Sequence, residues 1–256
     1  MRKLFIVALF VVCVAVTHAS LLASDNASDA AYNNGWTNGA DGGTGFGAWT
    51  LNAAANAGYF VGSSVNNGTF PSGGIDTSGG KSWGFYANSG SSAHGYRQFE
   101  GGALSVGQYF MIDYDNGWLG GGSSVGWGLQ NASGENLFEW YFAGGDSFYT
   151  INKYGGIGAS SNGWTDGGLK LQFGLVSTTN FSLSVIQGTQ TNTYSGSLLA
   201  PADQGIQQVH VWNYNAGSGQ NYDAFVNSMQ VVPEPSAIIL TLLGAGMLLG
   251  LVLKMF

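Results

Sequence analysis

The period of its apolar residues constrains this chain more than any other feature. From Leu169 to Val176 the sequence reads L-K-L-Q-F-G-L-V, with Leu, Leu, Phe and Leu at every second place. A period of two sends those side chains to one face of an extended strand and Lys170, Gln172 and Gly174 to the other. Phe181-Ser182-Leu183-Ser184-Val185 repeats the pattern. Between Ser20 and Val232 no stretch of a dozen residues keeps the i, i+3, i+4, i+7 spacing of a helix.

Shorter runs rich in aromatic and branched residues fall at 56–62, 82–87, 96–99, 109–114, 125–130, 136–142, 148–153, 208–212 and 224–232. Gly, Asn, Ser and Asp separate them, the residues that accept turn conformations. Roughly ten to thirteen short strands predict an all-β fold, a single large antiparallel β-sandwich or jelly roll of the concanavalin-like type over residues 20–231. An immunoglobulin sandwich uses only ~100 residues. Two small sandwiches are the alternative, but no Pro- or Ser-rich linker divides the region. A domain this long buries ~70% of its unfolded surface, enough for a core without cross-links.

Composition narrows the function classes. Glycine is 43 of 256 residues, with no three-residue period and only four prolines, so collagen is excluded. Aromatic residues at 14% and charged residues at 8% exclude an ordinary disordered chain. The central region carries four basic and thirteen acidic residues, a net charge of −9. Such a surface repels phosphate backbones, so no nucleic-acid partner is expected.

The two ends follow different rules. Arg2 and Lys3 precede an apolar run from Leu4 to Val16, and Thr17-His18-Ala19 places small residues at a cleavage site. This is the plan of a secretory signal peptide over residues 1–19, too short to span a bilayer. Cys13, the only cysteine, lies inside the run behind bulky Val12, unlike a lipoprotein site. The mature chain therefore has no disulfide, thiolate metal site or cysteine nucleophile. At the other end Val232-Pro233-Glu234-Pro235 precedes eighteen uncharged residues, Ser236 to Leu253, and then Lys254. As a helix that segment is ~27 Å long, close to a bilayer core, so 236–253 reads as a transmembrane helix.

This order of VPEP, apolar helix and basic end resembles the PEP-CTERM sorting signal of Gram-negative bacteria, placed here over 232–256. The segment Asp25-Asn26-Ala27-Ser28-Asp29, then Tyr32, Gly35 to Gly39 and Gly45 to Leu51, resembles the N-terminal region of one group of such surface proteins. The resemblance implies export, anchoring in the inner membrane and processing by an exosortase near Pro-Glu-Pro. It also implies a cell-surface or extracellular-matrix location and an association with exopolysaccharide and biofilm. The family usually ends in an arginine cluster, where this chain has a single lysine.

Candidate chemistry is sparse. Asn-Gly-Trp recurs at Asn34-Gly35-Trp36, Asn116-Gly117-Trp118 and Asn162-Gly163-Trp164. Asn-Gly favours tight turns with positive φ. Trp36, Trp118 and Trp164 are therefore candidate aromatic platforms for sugar rings, or turn punctuation with core aromatics. The polar loop from Asn213 to Asp223, with Tyr214, Asn221, Tyr222 and Asp223, is a second candidate carbohydrate site. Asp113, Asp115 and Asn116 offer hard oxygens suited to calcium, though Ser124 stands where an EF-hand loop needs a bidentate acid. Glu135 and Glu139 share a strand face on simple alternation, but at ~13 Å they fit neither glycosidase geometry. His94 and His210 are 116 residues apart with no serine or carboxylate pattern near either, and no G-x-S-x-G elbow occurs. The sequence is read as an exported polysaccharide-associated protein without enzymatic activity; a passive matrix or coat role and a polysaccharide-cleaving enzyme are the alternatives.

Overall fold

The computed structural model describes residues 21–66, 74–199 and 205–233. The leader over 1–19, Glu234 and Pro235, and the apolar segment 236–253 lie outside the described residues, while Val232 ends a strand and Pro233 follows it. Among the described residues no helix is long and apolar enough to cross a membrane.

Among the described residues fifteen strands form two antiparallel sheets. The eight-stranded sheet runs β13 (Gln190–Ser197), β12 (Asn180–Gln187), β11 (Leu169–Leu175), β6 (Tyr109–Asn116), β15 (Ala224–Val232), β4 (Ser82–Ala87) and β3 (Ala57–Gly62). The short β1 (Ala23–Asp25) also pairs with β15. The seven-stranded sheet runs β10 (Gly156–Gly163), β9 (Phe148–Lys153), β8 (Asn136–Ala143), β7 (Ser124–Gln130), β14 (Gln208–Tyr214), β5 (Ser92–Gln98) and β2 (Thr50–Ala53). The centre of each sheet joins strands distant in sequence: β14 lies between β5 and β7, and β6 between β11 and β15.

The alternation in β11 is as the sequence predicts. Leu169, Leu171, Phe173 and Leu175 are buried, and Phe181, Leu183 and Val185 of β12 join them. The inner faces meet through aromatic rings: Phe138 of β8 lies 5.0 Å from Phe173 and 4.9 Å from Phe181, and Trp127 of β7 lies 5.8 Å from Phe110 of β6. Four strands, β1, β2, β10 and β13, have no counterpart among the predicted runs. All are short or lie at a sheet edge, where only one flank is paired and no apolar run is required.

Three sequence expectations are corrected here. Trp36 is buried, packed edge-on against Trp49 at 4.9 Å and Tyr59 at 5.3 Å, so it is core and offers no face to a ligand. Of the Asn-Gly-Trp glycines only Gly35 has positive φ, at 102°; Asn116 ends β6 and Gly163 ends β10. Glu135 and Glu139 do not share a face. A register shift opposite Leu129 and Gln130 places both Leu137 and Phe138 in the core, leaving Glu135 exposed in the preceding turn, where it accepts from Asn131 Nδ2 at 2.8 Å.

The alternation sets the expected response to mutation. Phe173→Ala is expected to lower unfolding free energy by ~3–5 kcal/mol and Gln172→Ala to change it by less than ~0.5 kcal/mol. Denaturant titration checks both, and equal losses would refute the facing of β11.

Candidate functional site

The outward positions of the seven-stranded sheet carry an unusual set of residues. In β5 these are His94, Tyr96 and Gln98; in β14, Gln208, His210, Trp212 and Tyr214; in β7, Ser124, Gly126, Gly128 and Gln130. Glu139 and Tyr141 of β8 and Asn152 of β9 continue the face. Together they form an open groove of about 400 Å³ lined by His94, Ser124, Glu139, Tyr141, His210, Trp212 and Tyr214.

Glycine makes the floor. A Cβ on Gly126 would stand 2.8 Å from Trp212 Cζ2 and 2.4 Å from Tyr141 Cβ, and one on Gly128 would stand 2.8 Å from the Phe138 carbonyl oxygen. The bare Gly126 lets the Trp212 indole settle onto β7, and its Nε1 donates to Ser124 Oγ at 3.2 Å. A column of rings runs along β5 and β14. His210 stacks 4.6 Å from Tyr96 at 6° and 5.1 Å from Trp212, and Tyr141 lies 6.1 Å from Trp212.

The two histidines the sequence left apart meet here. Register pairs His210 with Tyr96 and Trp212 with His94, so the histidines are diagonal neighbours. His94 Nδ1 lies 3.0 Å from His210 Nε2. The ring centres are 5.3 Å apart, which is the 3.0 Å nitrogen separation plus the two centre-to-nitrogen radii. The nitrogens therefore point at each other, as in an N–H···N hydrogen bond. Burial, and then the neighbouring His94, pushes the His210 imidazole down to about 3; burial also lowers His94.

Amides extend the polar side of the groove. Gln208 Nε2 donates to Gln130 Oε1 at 2.8 Å, and Gln130 Nε2 donates to Asn136 Oδ1 at 2.7 Å. Asn136 Nδ2 and Asn152 Nδ2 both donate to the Glu139 carboxylate, at 2.6 and 2.5 Å. Backbone alternation was readable for most of these residues. Their adjacency was not, because it joins strands separated by up to 116 positions.

The sequence candidates separate into distinct places. Tyr214 lines the groove and is half exposed. Trp118 and Trp164 meet at one end of the sandwich, edge to face at 5.6 Å, with Trp164 Nε1 donating to the Gly117 carbonyl oxygen at 3.2 Å. There the Trp118 N–H donates to the Asn221 carbonyl oxygen at 2.7 Å and the Gly117 N–H to that of Asp223 at 2.9 Å. Trp118 is 55% exposed, while Trp164 and Tyr222 are half-buried against the core. Burial raises the Asp223 carboxyl to about 7.

The calcium candidates divide between two environments. Asp113 accepts from Lys170 Nζ at 3.0 Å. Asp115 and Asn116 are buried, and Asn116 Oδ1 accepts from the Tyr149 hydroxyl inside the core at 2.8 Å. Among the described residues no group of three or more His, Cys, Asp or Glu is placed to hold a metal ion.

No family model and no curated protein matches the sequence. Solved structures with a similar outline include a galectin of Caenorhabditis elegans, at 13% identity and TM-score 0.33 over 51% of this chain and 85% of that one. A protein of unknown function from Shewanella oneidensis aligns at 10% identity and TM-score 0.42, over 73% and 80% of the two chains. A lectin from Bauhinia forficata in complex with GalNAc aligns at 8% identity and TM-score 0.37, over 72% and 97%.

The buried histidine gives a pH prediction. A histidine whose folded pKa lies below its unfolded value near 6.5 contributes stability above that pH and loses it as pH falls toward the folded value. His210→Gln is therefore expected to lose less stability than wild type between pH 6.5 and 4, as read by urea titration at each pH. Asp223, raised, contributes in the opposite sense and is common to both proteins. Parallel pH profiles would refute the neutral buried imidazole.

Proposed function

We propose that this is an exported surface or matrix protein that binds polysaccharide in the groove of its seven-stranded sheet. The observation that supports the binding reading is the groove's composition. The half-exposed Tyr214 and partly exposed Tyr141 lie beside directional amides and one carboxylate, with the largely buried Trp212 packed against Tyr141, and aromatic rings with fixed polar neighbours suit the C–H groups and hydroxyls of a sugar. The groove lining holds one carboxylate, Glu139, whereas glycoside cleavage normally uses two. A binding role without hydrolysis fits this arrangement better than catalysis.

Affinity electrophoresis tests the reading. A neutral glucan in the gel is expected to retard the domain, and Trp212→Ala to weaken retention about tenfold or more, while Trp118→Ala leaves it unchanged. The opposite ranking of the two variants would move the site to the exposed tryptophan at the end of the sandwich. No retention by any polysaccharide would refute binding and favour a passive matrix role.

The export reading rests on the terminal sequences. Arg2 and Lys3 before the apolar run, and Val232-Pro233-Glu234-Pro235 before the apolar segment 236–253, fit a leader and an exosortase-processed anchor in the inner membrane. Mass spectrometry of the protein from its native cells is expected to give an N-terminus near Ser20 and a C-terminus near Pro235. An intact chain from Met1 to Phe256 on the cell surface would refute this processing.

A further inference from the structure

The hydrogen bonds of the groove have a direction, and one residue sets it. An ionised carboxylate only accepts. Both Glu139 oxygens are met by amide nitrogens, Asn136 Nδ2 at 2.6 Å and Asn152 Nδ2 at 2.5 Å. Asn136 must therefore turn its Oδ1 toward Gln130, and Gln130 must turn its Nε2 toward Asn136, at 2.7 Å. That leaves Gln130 Oε1 to accept from Gln208 at 2.8 Å. The same Gln130 Nε2 faces His210 Nδ1 at 3.4 Å, a donor against a ring nitrogen. A bare Nδ1 puts the His210 proton on Nε2, where it is donated to His94 Nδ1 at 3.0 Å. His94, accepting at Nδ1 and neutral, carries its own proton on Nε2.

His94 Nε2 has no hydrogen-bond partner among the described residues, and His94 lines the groove. No lysine or arginine lines the groove, and Arg97 on the same strand turns to the opposite face. The groove thus combines a donor without a protein partner among the described residues, the negative charge of Glu139 and the partly exposed rings of Tyr141 and Tyr214.

We propose that Glu139 is the positioning residue of the groove: through Asn136 and Gln130 it fixes the tautomers of His210 and His94, so that His94 presents an N–H to the hydroxyl oxygens of an uncharged glycan. The ligand class rests on the binding reading above; the tautomer assignment stands without it. The glycan is neutral because a uronate or sulfate would meet Glu139 with no cation in the lining to offset it.

Nitrogen-15 NMR of the ligand-free domain reads the tautomers directly. The wild type is expected to show protonated Nε2 and bare Nδ1 on both rings. Glu139→Ala frees Asn136 to turn over, so the His210 and His94 nitrogen shifts are expected to move to averaged values. In the double variant Asn136→Asp with Glu139→Gln an acceptor-only group again faces Gln130, and the wild-type pattern is expected to return. A protonated His94 Nδ1 in the wild type, or unchanged shifts in Glu139→Ala, would overturn the relay whatever the protein binds. Affinity electrophoresis with laminarin and with alginate then tests the ligand class. Retention by laminarin alone is expected, weakened in Glu139→Ala and restored in the double variant. Retention by alginate alone would overturn the neutral-glycan assignment, and retention by neither would fail the binding reading while leaving the relay intact.

Discussion

The guanidinium of Arg97 holds the two sheets and the N-terminal segment in one arrangement. Arg97 sits on β5 of the seven-stranded sheet, fully buried on its inner face. It pairs with Asp25 on β1 of the eight-stranded sheet and donates to the Tyr32 hydroxyl at 2.8 Å. Its other nitrogens donate to the carbonyl oxygens of Gly47 and Gly42, each at 2.7 Å, and its Cζ lies 5.2 Å from the centre of the Trp49 ring. A buried charge is tolerated only when its donors are satisfied, so every one of these partners must be in place. The segment that supplies most of them has little regular structure of its own. Its position follows from what the guanidinium requires.

This inner constraint reaches the outer face by alternation. Fixing Arg97 inward fixes Tyr96 and His94 outward, in register with His210 and Trp212 of β14. A shift of β5 by one residue would exchange its two faces, placing His94 and Tyr96 in the apolar core and Arg97 in solvent. The groove is therefore a consequence of the core on the other side of the same strands. Gly126 and Gly128 add a steric condition, since a side chain on Gly126 would displace Trp212 and Tyr141 and one on Gly128 would press on the Phe138 carbonyl and Glu139 of β8.

Asn227 plays a similar part on β15. Its Nδ2 donates to the carbonyl oxygens of Ile75 and Lys81, and its Oδ1 accepts from the Ala27 N–H, all between 2.8 and 3.1 Å. Ser228 beside it has φ 48°, where the β15 register shifts. Two irregular segments are thus anchored to a central strand by one buried amide. Paired backbone groups alone do not hold them there.

The sequence by itself determined that the chain is all-β, where its central strands lie, and which face of β11 and β12 is buried. Those properties are local: a period of two and turn residues between runs are written along the chain. Its terminal patterns are equally local, since a leader or an apolar helix depends only on consecutive residues. The edge strands β10 and β13 were not legible because an edge strand needs no apolar pattern. Tertiary structure alone decided that Trp36 is core, that a bulge parts Glu135 from Glu139, and that His94 and His210 meet at 3.0 Å. The physical reason is that pairing between distant strands is fixed by how two whole faces bury together. No single stretch of sequence carries that information.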